Sequence, residues 1–190
     1  VKGGGPEQYA VLTNRIENAV ESHRFRRETA RLSRINSLFR EINRQVLRAS
    51  TAEAIKEAVC EILTSSDAYQ FAWIGERSKS GDIVPTAGGG GALEFVEEML
   101  SRHGRSVFDD GPFGRAIETG ERQVASDIRI ESSDQPRDEI VSEYGVRSMI
   151  ALPIQYTGSV QSVISIYADT PFAFDEAEQT VLTELAEIIA

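Results

Sequence analysis

Two adjoining apolar segments near the C terminus constrain the fold more than any other feature of this sequence. Residues 147–156 and 160–169 are rich in β-branched and other apolar side chains, and they predict two strands. The residues between them, Thr157-Gly158-Ser159, have the turn chemistry of a tight hairpin. The sequence therefore predicts an antiparallel pair of strands at this point of the chain.

The first of these strands is apolar on both of its faces. Because side chains alternate along a strand, Ile150, Leu152 and Ile154 lie on one face. Met149 and Ala151 lie on the other. A sheet with two apolar faces has to be covered on both sides, so the sequence predicts a three-layered domain.

The segments upstream of this hairpin carry further strand and helix patterns. The predicted strands are 69–76, 83–87 and 123–125. The predicted helices begin at the capping box 50–53, at Leu93, at Phe113 and at Pro136, and the last helix follows an acidic capping box at 175–178. Between these elements, 88–91 is predicted to be a flexible joint and 130–135 a loop. This order predicts an α+β domain whose antiparallel sheet of five or six strands is sandwiched between helices. The first and last helices would cover one face, and residues 92–146 would enclose a pocket over the other.

Residues 7–49 contain neither glycine nor proline and predict one long helix. Apolar residues recur in it at alternating spacings of three and four, which is the pattern of a coiled-coil seam. The seam residues are Leu32, Ile35, Phe39, Ile42 and Val46. An isolated helix cannot bury such a stripe, so we expect a homodimer through this helix and through the last helix. A change of phase near 25–31 and a kink at Ser50 would interrupt it.

The net charge of −10 is unevenly distributed along the chain. Residues 1–50 hold ten basic and five acidic side chains, whereas residues 51–190 hold ten and twenty-five. An acidic body repels nucleic acid and anionic membranes, so neither is an expected partner. No apolar run is long enough to cross a bilayer, and we expect a cytoplasmic location. We divide the chain into a disordered end (1–6), a signalling coiled-coil helix (7–49) and one domain (50–190).

Three stretches resemble the GAF domain, a module that binds small molecules and proteins in many sensors. Residues 114–124, followed by Asp127, are similar to the family's helix, Thr-Gly-Glu turn and short strand. Residues 145–154 resemble its Gly-x-Arg-Ser strand, and residues 167–178 resemble its last strand, Phe-Asp-x-x-Glu turn and final helix. The resemblance covers about 38–190 and implies a GAF/PAS-like sheet.

A narrower resemblance links the chain to bacterio-opsin-activator-type regulators of halophilic archaea. Residues 42–44, 49–51, 58–61 and 71–76 carry it, and an arginine-rich, lysine-poor composition agrees. In those regulators PAS and GAF modules precede a helix-turn-helix segment that binds DNA. These 190 residues contain no helix-turn-helix pattern, so the resemblance implies a transcriptional output elsewhere in a longer chain.

The resemblance to the GAF domain also implies a ligand pocket. Aromatic and apolar side chains would form its walls, and Asp127 and Ser148 would supply polar anchors. The implied pocket residues are Phe71, Trp73, Phe95, Met99, Phe113, Asp127, Tyr144, Ser148 and Ile150. The alternative is that these residues fill a core, which we favour for Phe71 and Ile150.

No catalytic or metal-binding pattern is present in the sequence. His23 and His103 have no companion at metal-ligand spacing, and the single cysteine, Cys60, is expected to be a buried, inert thiol. The methionine sulfoxide reductases of this fold need several cysteines. We therefore expect no enzyme and no cofactor, but a sensory module that relays binding of a ligand or partner through a dimeric coiled coil. The alternatives are a ligand-free dimerisation or interaction module and, less favoured, a GAF-like reductase.

Overall fold

The computed structural model describes residues 33–131 and 137–190, together with Arg15. The chain divides into two compact units, Val1–Arg40 and Glu41–Ala190. In the first unit, residues 33–40 are helical. The predicted seam residue Leu32 and the predicted phase change at 25–31 lie outside the described residues.

The predicted interruption near Ser50 is present. In the second unit residues 41–46 are helical, and the chain leaves the helix before α1 begins at Ala52. Thr51, rather than Ser50, is the N-cap of α1, since its backbone is extended and its Oγ1 accepts a hydrogen bond from Ala54 N at 3.2 Å. Two adjacent hydroxyl residues are both suitable caps, and the sequence does not choose between them.

Among the described residues from Ala52 onwards, the domain has six helices, one 3₁₀ turn and five strands. In chain order they are α1 Ala52–Thr64, β1 Phe71–Arg77, β2 Ile83–Gly89, α2 Ala92–His103, the 3₁₀ turn Arg105–Phe108, α3 Pro112–Thr119, β3 Gln123–Ala125, α4 Ile128–Glu131, α5 Arg137–Glu143, β4 Ser148–Tyr156, β5 Ser159–Ala168 and α6 Glu176–Ile188. The strands form one antiparallel sheet in the order β2-β1-β5-β4-β3. The predicted α+β architecture with a five-stranded sheet is confirmed.

Two neighbouring glycines of β2 show that the sheet is covered on both faces. A Cβ on Gly89 would lie 2.5 Å from the carbonyl oxygen of Cys60 in α1, and one on Gly88 would lie 2.7 Å from Leu93 in α2. Consecutive residues of a strand face opposite ways, so α1 and α2 pack on opposite faces. The prediction of a flexible joint at 88–91 is therefore wrong for its first half, because Gly88 and Gly89 are paired strand residues that admit two closely packed helices.

The hydrophobic core is likewise divided between the two faces of the sheet. The buried cluster on the face of α2 and α3 includes Phe71, Trp73 and Tyr167 from the strands. The buried residues of α1 and α6, such as Leu63 and Leu185, belong to the other face.

Two further predictions concern the helices that surround the sheet. The acidic cap of α6 is confirmed, since Asp175 accepts hydrogen bonds from Ala177 N and Glu178 N at 3.1 Å. The predicted loop at 130–135 is corrected in its first part, because Ile128–Glu131 forms a helical turn that begins at Asp127, whose carboxylate accepts from Arg129 N. Within the described ranges, no helix combines the length and the apolar character needed to cross a bilayer.

The hairpin turn between β4 and β5 contains a strained threonine. Tyr156 pairs with Ser159, and the two residues between them, Thr157 and Gly158, have φ values of 49° and 80°, which define a type I′ turn. Thr157→Asn should raise the free energy of unfolding by roughly 0.5–1 kcal/mol, because asparagine adopts the left-handed conformation more readily than a β-branched residue. Denaturant unfolding measures this. Gly158→Ala is the opposing control and should destabilise; a Thr157→Asn protein no more stable than wild type would contradict the turn assignment.

Candidate ligand-binding cavity

A cavity of about 160 Å³ lies on the face of the sheet that α2 and α3 cover. Its strand side consists of Ala125, Met149 and Tyr167, which follow one another across β3, β4 and β5 in register. The other lining residues are Phe95, Met99, Val107, Phe108, Gly111, Pro112, Phe113, Arg115, Ile128 and Val141. The predicted arrangement, with the central segments enclosing a pocket over one face, is what the structure shows.

Three of the predicted pocket residues, Phe95, Met99 and Phe113, line this cavity. Phe71 and Trp73 face the same side of the sheet but belong to the packed core and do not line it. The Trp73 ring stacks on Phe113 with 4.6 Å between centroids, and its indole N–H donates to the Tyr167 hydroxyl at 3.3 Å. Core filling therefore describes both Phe71 and Trp73.

Ser148 and Ile150 are not brought to the cavity. Ile150 pairs through Ile166 with Ala72, whereas Met149 pairs through Tyr167 with Phe71. The two rows point to opposite faces, and the row of Phe71 faces the cavity. Ile150 thus packs on the side of α1 and α6.

Ser148 shares the face of Ile150, and it holds a loop instead of a ligand. Its hydroxyl donates to the carbonyl of Thr170 at 2.7 Å, which fixes the segment between β5 and α6. Met149 and Tyr167 line the cavity but are not among the predicted pocket residues. Their signal was the strand alternation, which already separates Met149 from Ile150.

Asp127 is buried, but its carboxylate is directed at Arg147. Arg147 Nη2 lies 2.8 Å from Oδ2 and Nε lies 3.3 Å from Oδ1. The hydrogen bonds from Arg147 hold the pKa of Asp127 below its usual value. Ile128 N also donates to the carbonyl of Arg147, so this pair joins the turn after β3 to the start of β4. Asp127, the predicted polar anchor for a ligand, instead forms an ion pair that joins two segments of the chain beside the cavity.

Tyr144, the residue that follows α5, connects α5 to α2 next to the cavity. Its ring packs edge-on against Phe95 at 5.1 Å, and its hydroxyl donates to Glu98 Oε2 at 2.7 Å. That hydrogen bond raises the pKa of Tyr144 to about 12. Glu98 also pairs with Arg102, which reaches Glu143 of α5 at 3.1 Å. The network connects α2 to α5, whose Val141 lines the cavity.

Cys60 does not line the cavity. It lies in α1 on the opposite face of the sheet and is fully buried, and burial raises the pKa of its thiol to about 12. A thiol with such a pKa is protonated and a poor nucleophile at neutral pH. Among the described residues, no group of three histidine, cysteine, aspartate or glutamate side chains is arranged to hold a metal ion.

Residues 49–190 match the GAF domain family, and the chain belongs to that family. A candidate transcriptional regulator from Haloferax volcanii is 30% identical over 123 residues, which are 56% of this chain and 21% of that protein. The chain therefore spans about a fifth of the length of this curated relative. The resemblance to regulators of halophilic archaea agrees with this match.

Solved structures with the same fold come from proteins of different activities. The GAF domain of a phosphoenolpyruvate-protein phosphotransferase from Coxiella burnetii has a TM-score of 0.65 at 19% identity, over 83% of this chain and 90% of that one. A free methionine-R-sulfoxide reductase from Neisseria meningitidis, in complex with its substrate, reaches 0.64 at 20% identity, over 82% and 85%. A domain of a candidate two-component sensor histidine kinase from Sinorhizobium meliloti reaches 0.57 at 16% identity, over 74% and 89%. Identities this low show the fold alone.

The cavity-lining helix α3 depends on a glycine that helix propensity alone would reject. A Cβ on Gly114 would lie 2.0 Å from the carbonyl oxygen of Asp109, so α3 approaches the preceding backbone too closely for any side chain. Gly114→Ala should lower the free energy of unfolding by about 1–3 kcal/mol, although alanine is the better helix former. Denaturant titration measures the change. The exposed Glu118→Ala in the same helix is the control and should be close to neutral; a stabilised Gly114→Ala protein would refute the close contact.

The Asp127–Arg147 pair makes stability depend on pH. Because the pKa of Asp127 is lower in the folded state than its unfolded value of about 3.9, its stabilising contribution is complete above that value and disappears as pH falls through the folded pKa. Asp127→Asn should therefore destabilise the protein at pH 7, and the difference from wild type should shrink below about pH 4. Melting temperatures from pH 2.5 to 7 test this. Asp169→Asn, an exposed aspartate, is the control; a difference independent of pH would exclude the pair as its cause.

Proposed function

We propose that this chain is a non-catalytic sensory module that binds a small ligand in the cavity between the sheet and helices α2 and α3. The observation that carries the proposal is the position of the cavity, which lies against strand residues on one side and two helices on the other. A ligand there would contact Phe95 and Met99 of α2 and Phe113 of α3, so its binding would change how these helices pack. The relationship to the GAF family supports a regulatory role.

The size of the cavity limits the ligand. Pockets for drug-sized molecules usually enclose about 300–1,000 Å³. A volume of about 160 Å³ is close to that of an engineered apolar cavity that binds benzene. The ligand would therefore be a compact molecule of roughly ten non-hydrogen atoms or fewer. The small volume also favours, as a second candidate, an interaction module without a ligand.

The chain offers little for reductase chemistry. Reduction of a sulfoxide by thiols ends in a disulfide, which takes two sulfur atoms from the protein or from a partner. The sequence has one cysteine, and its buried thiol lies behind the sheet. We therefore propose that the cavity binds its ligand without transforming it.

A pair of consecutive residues supports a relay from the cavity to α6. Gln70 donates its side-chain amide to the carbonyl of Tyr144 at 2.5 Å and its backbone N–H to that of Tyr167 at 2.8 Å. The hydroxyl of the preceding residue, Tyr69, donates to the buried carboxylate of Glu178 in α6. A shift of α2 and α5 could thus displace α6 through one segment of backbone. Such a relay requires that the segment have two stable positions.

We further propose that α6 and the N-terminal helix pass the change to an output domain in a homodimer. Of the predicted seam, Ile35 and Ile42 are already buried in the single chain, with 5% and 1% of their surface exposed. Phe39 and Val46 are half-buried and have surface left for a partner. The relative from Haloferax volcanii, a candidate transcriptional regulator, supports a transcriptional output, and we propose a cytoplasmic location together with it.

Native mass spectrometry of the purified chain tests ligand binding and dimerisation together. We expect a dimer that carries a defined added mass on each subunit. Ala125→Leu places three extra carbon atoms in the cavity and should give a dimer without that mass.

The same spectra separate the alternatives. Phe39→Ala should shift the population towards monomer if the seam is correct, and an unchanged dimer would contradict the seam. A wild-type dimer with no added mass would favour the ligand-free interaction module. An added mass that persists in the Ala125→Leu protein would place the ligand outside this cavity.

A further inference from the structure

The cavity combines an apolar interior with one charged side chain. Of the described residues that line it, Arg115 alone carries a formal charge, and most of the others are aliphatic or aromatic. Arg115 is exposed to solvent, whereas Phe113 and Met99 are buried. The charged side chain therefore stands where the cavity meets the surface, and the apolar part lies behind it.

Arg115 is held in place by a contact that leaves its charge available. Its Nη1 donates to the backbone carbonyl of Asp110 at 3.0 Å, which uses one of the five N–H donors of a guanidinium group. A neutral carbonyl positions the side chain without neutralising it. The neighbouring carboxylate of Asp109 is engaged by Arg77 at 3.3 Å. The contacts just described therefore do not neutralise the positive charge of Arg115 at the cavity entrance, although the protein has a net charge of −10.

The chemistry of the two parts specifies the ligand. A guanidinium group binds a carboxylate through two parallel hydrogen bonds. An interior of aromatic and aliphatic side chains of about 160 Å³ takes a group the size of a benzene ring. A compact dianion such as phosphate has no apolar part and would lose its hydration against phenylalanine rings.

We propose that the cavity binds a small apolar monocarboxylate, with the carboxylate on Arg115 and a ring or short branched chain between α2, α3 and the sheet. This inference rests on the proposed ligand-binding function and adds the chemical class of the ligand. It predicts that charge, at constant shape, decides affinity at the cavity entrance.

Benzoate and nitrobenzene provide the test, because the two molecules have the same shape and differ in charge. In isothermal titration calorimetry the wild-type chain should bind benzoate about tenfold more tightly than nitrobenzene. Arg115→Gln should abolish that preference by weakening benzoate about tenfold while leaving nitrobenzene unchanged. Arg122→Gln, which removes the same charge from an exposed position that does not line the cavity, should behave like wild type.

Three results would overturn the inference, and they are distinguishable. If nitrobenzene binds as tightly as benzoate and Arg115→Gln changes neither, the cavity binds ligands but the carboxylate class is wrong. If neither compound binds to the wild-type chain while native mass spectrometry shows an added mass, the ligand class is wrong and the ligand-binding function stands; without an added mass, both fail. Equal losses of benzoate affinity in Arg115→Gln and Arg122→Gln would also overturn it, because the effect would then come from net charge.

Discussion

The alternation of side chains along β5 is the constraint on which the rest of the structure depends. β5 is the central strand, and it pairs with β1 on one side and β4 on the other. Tyr167 faces the cavity and Ile166 faces α1 and α6, and both are buried. A slip of one residue in either pairing would turn the side chains of the slipped strand to the opposite face of the sheet. The cavity and the helices behind the sheet are thus determined by one register.

The parts of the fold that the sequence predicted are those whose signals are local. Strand alternation, the acidic cap at Asp175 and the turn chemistry after Tyr156 each act within a few residues. The role of Gly88 and Gly89 is not visible in the sequence, because it comes from tertiary packing against Leu93 of α2 and against the carbonyl of Cys60 in α1. The sequence shows where the glycines are, but it does not show which helices pack against them.

The candidate site was predicted in part for a related reason. A family resemblance indicates which motif borders a pocket, but it does not say which residues of a strand face that pocket. The resemblance implies Ser148 and Ile150, whereas Met149 and Tyr167 line the cavity. Deciding between them requires the pairing of β4 with β5 and of β5 with β1, which brings together residues about a hundred positions apart. A buried polar side chain needs a hydrogen-bonding or ionic partner, and Arg147 supplies that partner for Asp127 where the resemblance implies a ligand.

A continuous sheet also poses a problem for a sensor of this design, because the cavity and α6 lie on opposite sides of it. Backbone hydrogen bonds tie neighbouring strands together, so a relay of the proposed kind needs residues that contact both layers. The residues before β1 meet that requirement. Gln70 contacts Tyr144 on the cavity side and bonds the backbone carbonyl of Tyr167 in β5, and Tyr69 contacts Glu178 on the side of α6. Neighbouring residues with partners on opposite faces join the two layers through a single peptide unit, and the proposed relay would cross the sheet at this pair.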